Sequence, residues 1–223
     1  MPANSPTFPD QDALKRIGAS VRQRLAADPD VYLVPTDKAE IFAVGDFFSP
    51  AECQRLITMI DTVARPSQLH DTAYVAKFRT SYSGNFDPWD PFVMSVSRRI
   101  DDLLGIAPRC GETIQGQRYL PGQEFKPHCD WFYPDQPYWP TERKRGGQRS
   151  WTAMAFLNEV EEGGHTHFTN IGASIEPKPG VLLLWNNAKL DGTPNVDTIH
   201  AGTPVIKGVK YVLTRWYRVR PFS

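Results

Sequence analysis

The chain has 223 residues, of which 40% are apolar and 22% charged, and its 25 basic and 25 acidic side chains leave no net charge. That length and composition allow one globular domain with a substantial core and exclude a disordered chain. No basic stripe is evident, so no nucleic-acid partner is expected.

Residues 1–9 are rich in Pro and Ser and are expected to be loose. Asp10 can cap a helix that carries Ala13, Leu14, Ile17, Val21 and Leu25 on one face, with Asp28-Pro29-Asp30 ending it. Ile41-Phe42-Ala43-Val44 reads as a short strand. Ser49, Pro50 and Glu52 then form a strong helix start, with a capping residue, a proline at the first helical position and a glutamate placed for a capping box. Cys53, Leu56, Ile57, Ile60 and Val63 make its apolar stripe, so Cys53 reads as core. Arg79-Thr80-Ser81 follows a loop. Asp90-Pro91 starts a further helix, with Phe92, Val93, Val96, Ile100, Leu103 and Leu104 inward and Gly105 closing it.

After Glu112 the pattern changes. Strand-like segments fall at 112–120, 123–131, 151–157, 165–168, 181–185, 196–200 and 210–219, separated by turn pairs such as Pro121-Gly122, Gly163-Gly164 and Pro179-Gly180. This predicts an α+β chain with a double-sheet jelly-roll core, also called a double-stranded β-helix, and N-terminal supporting helices on one outer face. Residues 1–39 are expected to form an extension with one helix packed on the core. Helical support then covers 40–111, and the jelly roll covers 112–223. Residues 133–149, with Tyr133, Tyr138, Trp139 and the basic Arg143-Lys144-Arg145, break the strand pattern and read as a lid or substrate loop.

Cys53, Cys110 and Cys129 are odd in number and irregularly spaced, which fits neither a disulfide framework nor a zinc knuckle. No signal-peptide pattern opens the chain, and no apolar run approaches the ~20 residues that span a bilayer. A soluble, cytoplasmic protein without a membrane partner is expected.

The candidate site is the stretch Gly122-Gln123-Glu124-Phe125-Lys126-Pro127-His128-Cys129-Asp130. In a strand, positions two apart share a face, so the His128 imidazole and the Asp130 carboxylate would converge. His200 is the best candidate for a third ligand. Two His and one carboxylate with open positions opposite suit a non-haem Fe(II) oxygenase.

Beyond His200 the chain reads Ala201-Gly202-Thr203-Pro204-Val205, Lys207-Gly208-Val209-Lys210-Tyr211 and Arg215-Trp216. With Arg79-Thr80-Ser81, Gln117-Arg118-Tyr119, the His128/Asp130 pair, Gln148-Arg149, the run from Phe156 to Gly164 and Pro177-Lys178-Pro179-Gly180, it resembles the prolyl 4-hydroxylase family of Fe(II)- and 2-oxoglutarate-dependent dioxygenases. The match covers most of residues 40–220, so residues 40–223 would form the dioxygenase domain. The resemblance implies Fe(II) held by His128, Asp130 and His200, with 2-oxoglutarate and O2 as cosubstrates and L-ascorbate as a further cofactor. It implies Lys210 as partner of the distal 2-oxoglutarate carboxylate, with Tyr119 and Thr166 beside it, and Arg149 and Trp216 facing the substrate and the reacting centre. The activity implied is hydroxylation of a peptidyl proline at C4, coupled to decarboxylation of 2-oxoglutarate to succinate and CO2.

The chain departs from relatives at three places. Phe125 stands where many carry a tyrosine that helps hold the proline. Cys129 lies between two ligands and should point away from the metal. His165 and His167 replace other residues and share a face, but the register of Lys210 and Trp216 with His200 favours the first ligand set. Phe125 and the 133–149 loop keep a second substrate class open, a free amino acid or small metabolite. A zinc hydrolase built on the same three ligands, or a non-catalytic binding module, would have no use for a cationic pocket at Lys210 or for an intact ligand set, respectively.

Overall fold

The computed structural model of the protein describes residues 8–67 and 78–223. Of the run expected to be loose, residues 1–7 lie outside the described residues, as does most of the loop expected before Arg79.

Helix α1 (Gln11–Ala26) buries Leu14, Val21 and Leu25, as its periodicity predicts. Its start differs from expectation. Asp10 occupies the capping position at φ 63°, yet its side chain caps nothing. The carboxylate accepts instead from the Gln148 N–H at 3.1 Å and from Arg220. The arginine pair is charged on both sides, whereas a helix cap would offer the same carboxylate only backbone N–H donors. Strands β1 (Val31–Leu33) and β2 (Ile41–Val44) follow. Helix α2 (Pro50–Val63) opens with the expected reciprocal capping box of Ser49 and Glu52 and buries Cys53, Leu56 and Ile60. The short strands β3 (Arg65–Pro66) and β4 (Tyr82–Asn85) precede helix α3 (Pro91–Leu104). Asp90 caps α3 by accepting from the N–H groups of Phe92 and Val93, and Gly105 closes it at φ 66°, a conformation glycine adopts without strain.

The rest is mostly strand. It comprises β5 (Gln115–Tyr119), β6 (Phe125–His128), the short helix α4 (Trp139–Lys144), β7 (Arg149–Phe156), β8 (Glu162–Gly163), β9 (Thr166–Phe168) and β10 (Ala173–Ile175). Then come β11 (Leu182–Asn186), β12 (His200–Gly202), β13 (Val205–Lys207) and β14 (Lys210–Arg218). An eight-stranded sheet runs β1-β2-β11-β7-β14-β5-β4-β3, and a four-stranded sheet runs β10-β9-β12-β6, with antiparallel neighbours throughout.

Alternation along the central strands builds two cores. Trp151, Ala153, Ala155, Leu182 and Leu184 join the cluster formed with helices α1, α2 and α3. Met154, Phe156, Leu183 and Trp185 point the other way, into a second cluster with Phe168 of the small sheet. Because both faces of β7 and β11 are covered, residues 153–156 and 182–185 read as continuous apolar runs. The result is the expected two-sheet core with helices on one outer face.

Two local expectations are corrected. The strand expected over 196–200 is a 3₁₀ turn at Val196–Thr198, and pairing begins only at His200. The Asn195 side chain accepts from the Asp197 N–H, which favours the turn over extended chain. The irregular stretch 133–149 contains α4, anchored by buried Trp139 and by Glu142, which pairs with Arg218 at the far end of β14.

Candidate metal centre

His128 ends β6 and His200 begins β12, and the two are register partners across the small sheet. Asp130 does not come from a continuing strand, contrary to the expectation for 123–131, since β6 stops at His128 and Asp130 lies in the bend beyond it. Even so, one ligand atom from each of His128, Asp130 and His200 lies within 4.8 Å of the others. Among the described residues this is the single such cluster of three or more His, Cys, Asp or Glu residues.

The tautomers follow from the hydrogen bonds. His128 Nδ1 is 2.8 Å from the Lys126 carbonyl, and His200 Nδ1 is 3.0 Å from the Thr198 carbonyl. A carbonyl only accepts, so both Nδ1 atoms carry the proton, which leaves Nε2 of each neutral ring as the atom that can meet a metal ion. Burial, with His200 nearby, pushes the His128 pKa down to about 3, so this ring is neutral as a ligand must be. For Asp130, burial acts to raise the pKa. His200, Arg149, His128 and the Thr152 hydroxyl outweigh it and hold the carboxyl below its usual range. The donor set of two imidazoles and one carboxylate fits a divalent iron with positions left open.

A second layer of contacts holds the cluster, and it was not foreseen. The Thr152 hydroxyl donates to Asp130 Oδ2 at 2.7 Å and accepts from Asn187 Nδ2 at 2.9 Å. A hydroxyl in the buried run Trp151–Phe156 requires a partner, which is the signal that could have singled Thr152 out. Glu112 accepts from Arg149 at 2.7 and 2.9 Å and also from Arg218, and nothing local in the sequence announces this. Burial alone would raise the Glu112 pKa, but the two guanidinium groups hold it low.

Lys210, Thr166 and Tyr119 meet on the inner side of the cluster, in a slot that Trp185 and His200 also line. Lys210 opens β14 opposite Tyr119 of β5. Its ammonium is buried, bonds Thr166 Oγ1 at 3.4 Å, and stands 5.5 Å from the Tyr119 ring centroid. No carboxylate pairs with it among the described residues. Burial alone pulls its pKa down to about 7. A buried ammonium without a counter-charge is poised to take an anion. The Tyr119 hydroxyl donates to Gln117 Oε1 at 2.8 Å.

The outer side opens into a cavity of about 370 Å³ lined by Arg79, Phe125, Phe132, Tyr138, Arg149 and Trp216, among others. Arg149 is sandwiched by contacts to Trp216, 4.2 Å from its ring centroid, and to Phe132, 4.8 Å from its ring centroid. Phe125 stacks on the His128 ring at 3.5 Å. Cys129 Sγ turns toward the Tyr133 hydroxyl at 3.3 Å and is not part of the ligand cluster. His165 and His167 also stay out of it, and His165 Nδ1 meets Ser174 Oγ at 3.1 Å instead.

A family model described as the 2OG-Fe(II) oxygenase superfamily matches residues 114–218. Prolyl 4-hydroxylase 5 of Arabidopsis thaliana is 32% identical over 207 residues, which cover 80% of this chain and 68% of that protein. Prolyl 4-hydroxylase subunit alpha-1 of Rattus norvegicus is 32% identical over 194 residues, but these span 82% of this chain and 35% of that much longer relative. Among solved structures, the 2OG complex of the viral collagen prolyl hydroxylase of Paramecium Bursaria Chlorella virus-1 superposes with a TM-score of 0.62 at 26% identity. That match covers 79% of this chain and 94% of the viral one.

Proposed function

This chain belongs to the 2OG-Fe(II) oxygenase superfamily, among the relatives of the prolyl 4-hydroxylases, and we propose that it hydroxylates a prolyl residue at the expense of 2-oxoglutarate, releasing succinate and CO2. One observation carries the reading: three side chains able to bind a metal converge beside a buried ammonium that, among the described residues, lacks a carboxylate partner. A zinc hydrolase would need the first feature and have no use for the second.

In this account His128 Nε2, His200 Nε2 and an Asp130 oxygen hold Fe(II). Lys210 takes the distal carboxylate of 2-oxoglutarate, with the Thr166 hydroxyl beside it. The nearby Tyr119 hydroxyl, which donates to Gln117, would be within reach of the same cosubstrate. Bound iron supplies the redox chemistry that turns O2 against an unactivated C–H bond. The protein binds, orients and excludes water. Thr152 fixes the Asp130 carboxylate by hydrogen bond. Glu112 fixes Arg149 by a two-pronged bond, and Arg149 and Trp216 then present a rigid, partly aromatic wall to the substrate. The outer cavity has the size of an ordinary small-ligand site and suits a pyrrolidine ring with flanking peptide.

The test is mass spectrometry of proline-containing peptides after incubation with the protein, Fe(II), 2-oxoglutarate, ascorbate and O2. One added oxygen on proline, matched one to one by succinate, is expected. Succinate without hydroxyproline from any peptide would overturn the substrate and keep the reaction class. No succinate would overturn both.

A further inference from the structure

Four arginines line the outer cavity, Arg79, Arg145, Arg149 and Arg218, against the carboxylates of Glu112 and Asp130. Three of the four are compensated. Arg149 forks onto Glu112, Arg218 bridges Glu112 and Glu142, and Arg145 lies 3.6 Å from Glu142. Two glutamates therefore serve three guanidinium groups, and Asp130 is committed to the proposed metal.

Arg79 is different. Its Nε donates to Ser81 Oγ at 3.0 Å and its Nη2 to Gln115 Oε1 at 3.1 Å, and both acceptors are neutral. Among the described residues it forms no ion pair. These bonds use two of its five N–H groups. Its guanidinium carbon stands 4.8 Å from the Phe125 ring centroid, and Phe125 stacks on His128, so this cation lies one aromatic layer from the ligand cluster. The centre itself does not supply the missing anion. Fe(II) with Asp130, a 2-oxoglutarate dianion and Lys210 comes to neutrality. A half-buried guanidinium is costly to desolvate without a counter-charge, and its planar fork matches a carboxylate.

We infer that the substrate of this site carries a carboxylate that docks on Arg79 while the proline ring lies in the aromatic part of the same cavity. The inference rests on the prolyl hydroxylation reading above and narrows it. Three sources share the chemistry: an Asp or Glu flanking an internal proline, the terminal carboxylate of a peptide ending in proline, and free proline.

The test is calorimetric titration of the Mn(II)-loaded protein under argon. 2-Oxoglutarate is added first, then matched acid and neutral partners. These are an Asp-Pro against an Asn-Pro peptide, a peptide ending in proline as acid and as amide, and proline against prolinamide. In at least one pair the acid should bind tighter, on the order of 10²-fold, and that pair identifies the source. Arg79→Gln should bring this pair to parity, and Arg79→Lys should retain a preference for the acid that weakens as salt is raised. Thermal melting of each variant establishes that it is folded. Should Arg79→Gln not fold, the wild-type pairs and Arg79→Lys decide. No acid preference in any wild-type pair, or a preference that survives in folded Arg79→Gln, overturns the inference. A protein that takes up no 2-oxoglutarate in the loading step overturns the hydroxylation reading itself, and this inference falls with it.

Discussion

Replacing Lys210 with methionine should stabilise the ligand-free protein and nearly abolish its binding of 2-oxoglutarate. Lys210 is 2% exposed and, among the described residues, has one side-chain hydrogen bond, the 3.4 Å contact to Thr166. Burial lowers its pKa from an ordinary 10.5 to about 7. That difference corresponds to about 5 kcal/mol against the charged form. Between about pH 7 and the ordinary lysine value the unfolded chain binds more protons than the folded one. Ligand-free stability therefore rises with pH through that window, and the penalty is complete below it. Methionine has a similar unbranched stem and no charge. Relaxation of the surroundings reduces the gain, and replacement of buried charges by apolar groups returns about 1–4 kcal/mol. At about 2–4 °C per kcal/mol for a chain of this size, the melting temperature should rise measurably near pH 6 and by less near pH 10. The ligand's distal carboxylate meanwhile loses its partner, at about 2–5 kcal/mol, or roughly 30- to 5,000-fold in Kd. The wild type should take up a proton as it binds 2-oxoglutarate above pH 7, so its Kd should weaken toward about tenfold per pH unit there. Thermal melts at the two pH values and titration of 2-oxoglutarate into the Mn(II)-loaded proteins measure both effects. Unchanged 2-oxoglutarate affinity, or a variant less stable at both pH values, would refute this reasoning.

Three further perturbations address the parts around Lys210. Thr152→Val removes the hydroxyl that orients Asp130, and metal affinity should fall about 10- to 100-fold in a competitive titration; an unchanged affinity would count against that role. Glu112→Gln leaves Arg149 and Arg218 buried without their shared anion, so urea denaturation should register a loss of about 3–5 kcal/mol, and a loss below about 1 kcal/mol would show the network to be incidental. Gly116→Ala, in β5, drives a methyl group into Ile60 of α2 and toward Phe86; the expected cost is about 1–3 kcal/mol, and a neutral result would mean that helix and sheet are less tightly packed than described.

What could be read from the chain depended on how far apart the interacting residues lie. Ser49 with Glu52, Asp90 with Phe92 and Val93, and Gly105 act within one helical turn, and each does what its local pattern predicts. Alternation along β7 and β11 yields the core because both faces of these strands are buried. Asp10 departs from its local pattern because its carboxylate is claimed by Arg220 at the far end of the chain. Helix α4 has no local signature because Glu142 is held there by Arg218, a partner that no periodicity marks. In the candidate site, His128, Asp130, His200 and Lys210 were legible through motif and spacing together. Their supports were not. Thr152, Asn187 and Glu112 come from other strands and loops, and their meaning lies in contacts that only the folded chain creates. Arg79 was legible as part of a motif, but that it has no carboxylate partner among the described residues appears only in three dimensions.

The central claim, that His128, Asp130 and His200 hold an iron to which 2-oxoglutarate binds with Lys210 as its anchor, is tested most directly without oxygen. Fe(II) and then 2-oxoglutarate are added to the metal-free protein while the visible spectrum is recorded, in parallel with folded Asp130→Ala. The account predicts a charge-transfer band that needs both additions, is absent in Asp130→Ala, and bleaches with formation of succinate when O2 is admitted. A wild-type protein that is folded and shows no band, or an Asp130→Ala protein that shows the same band, would contradict it.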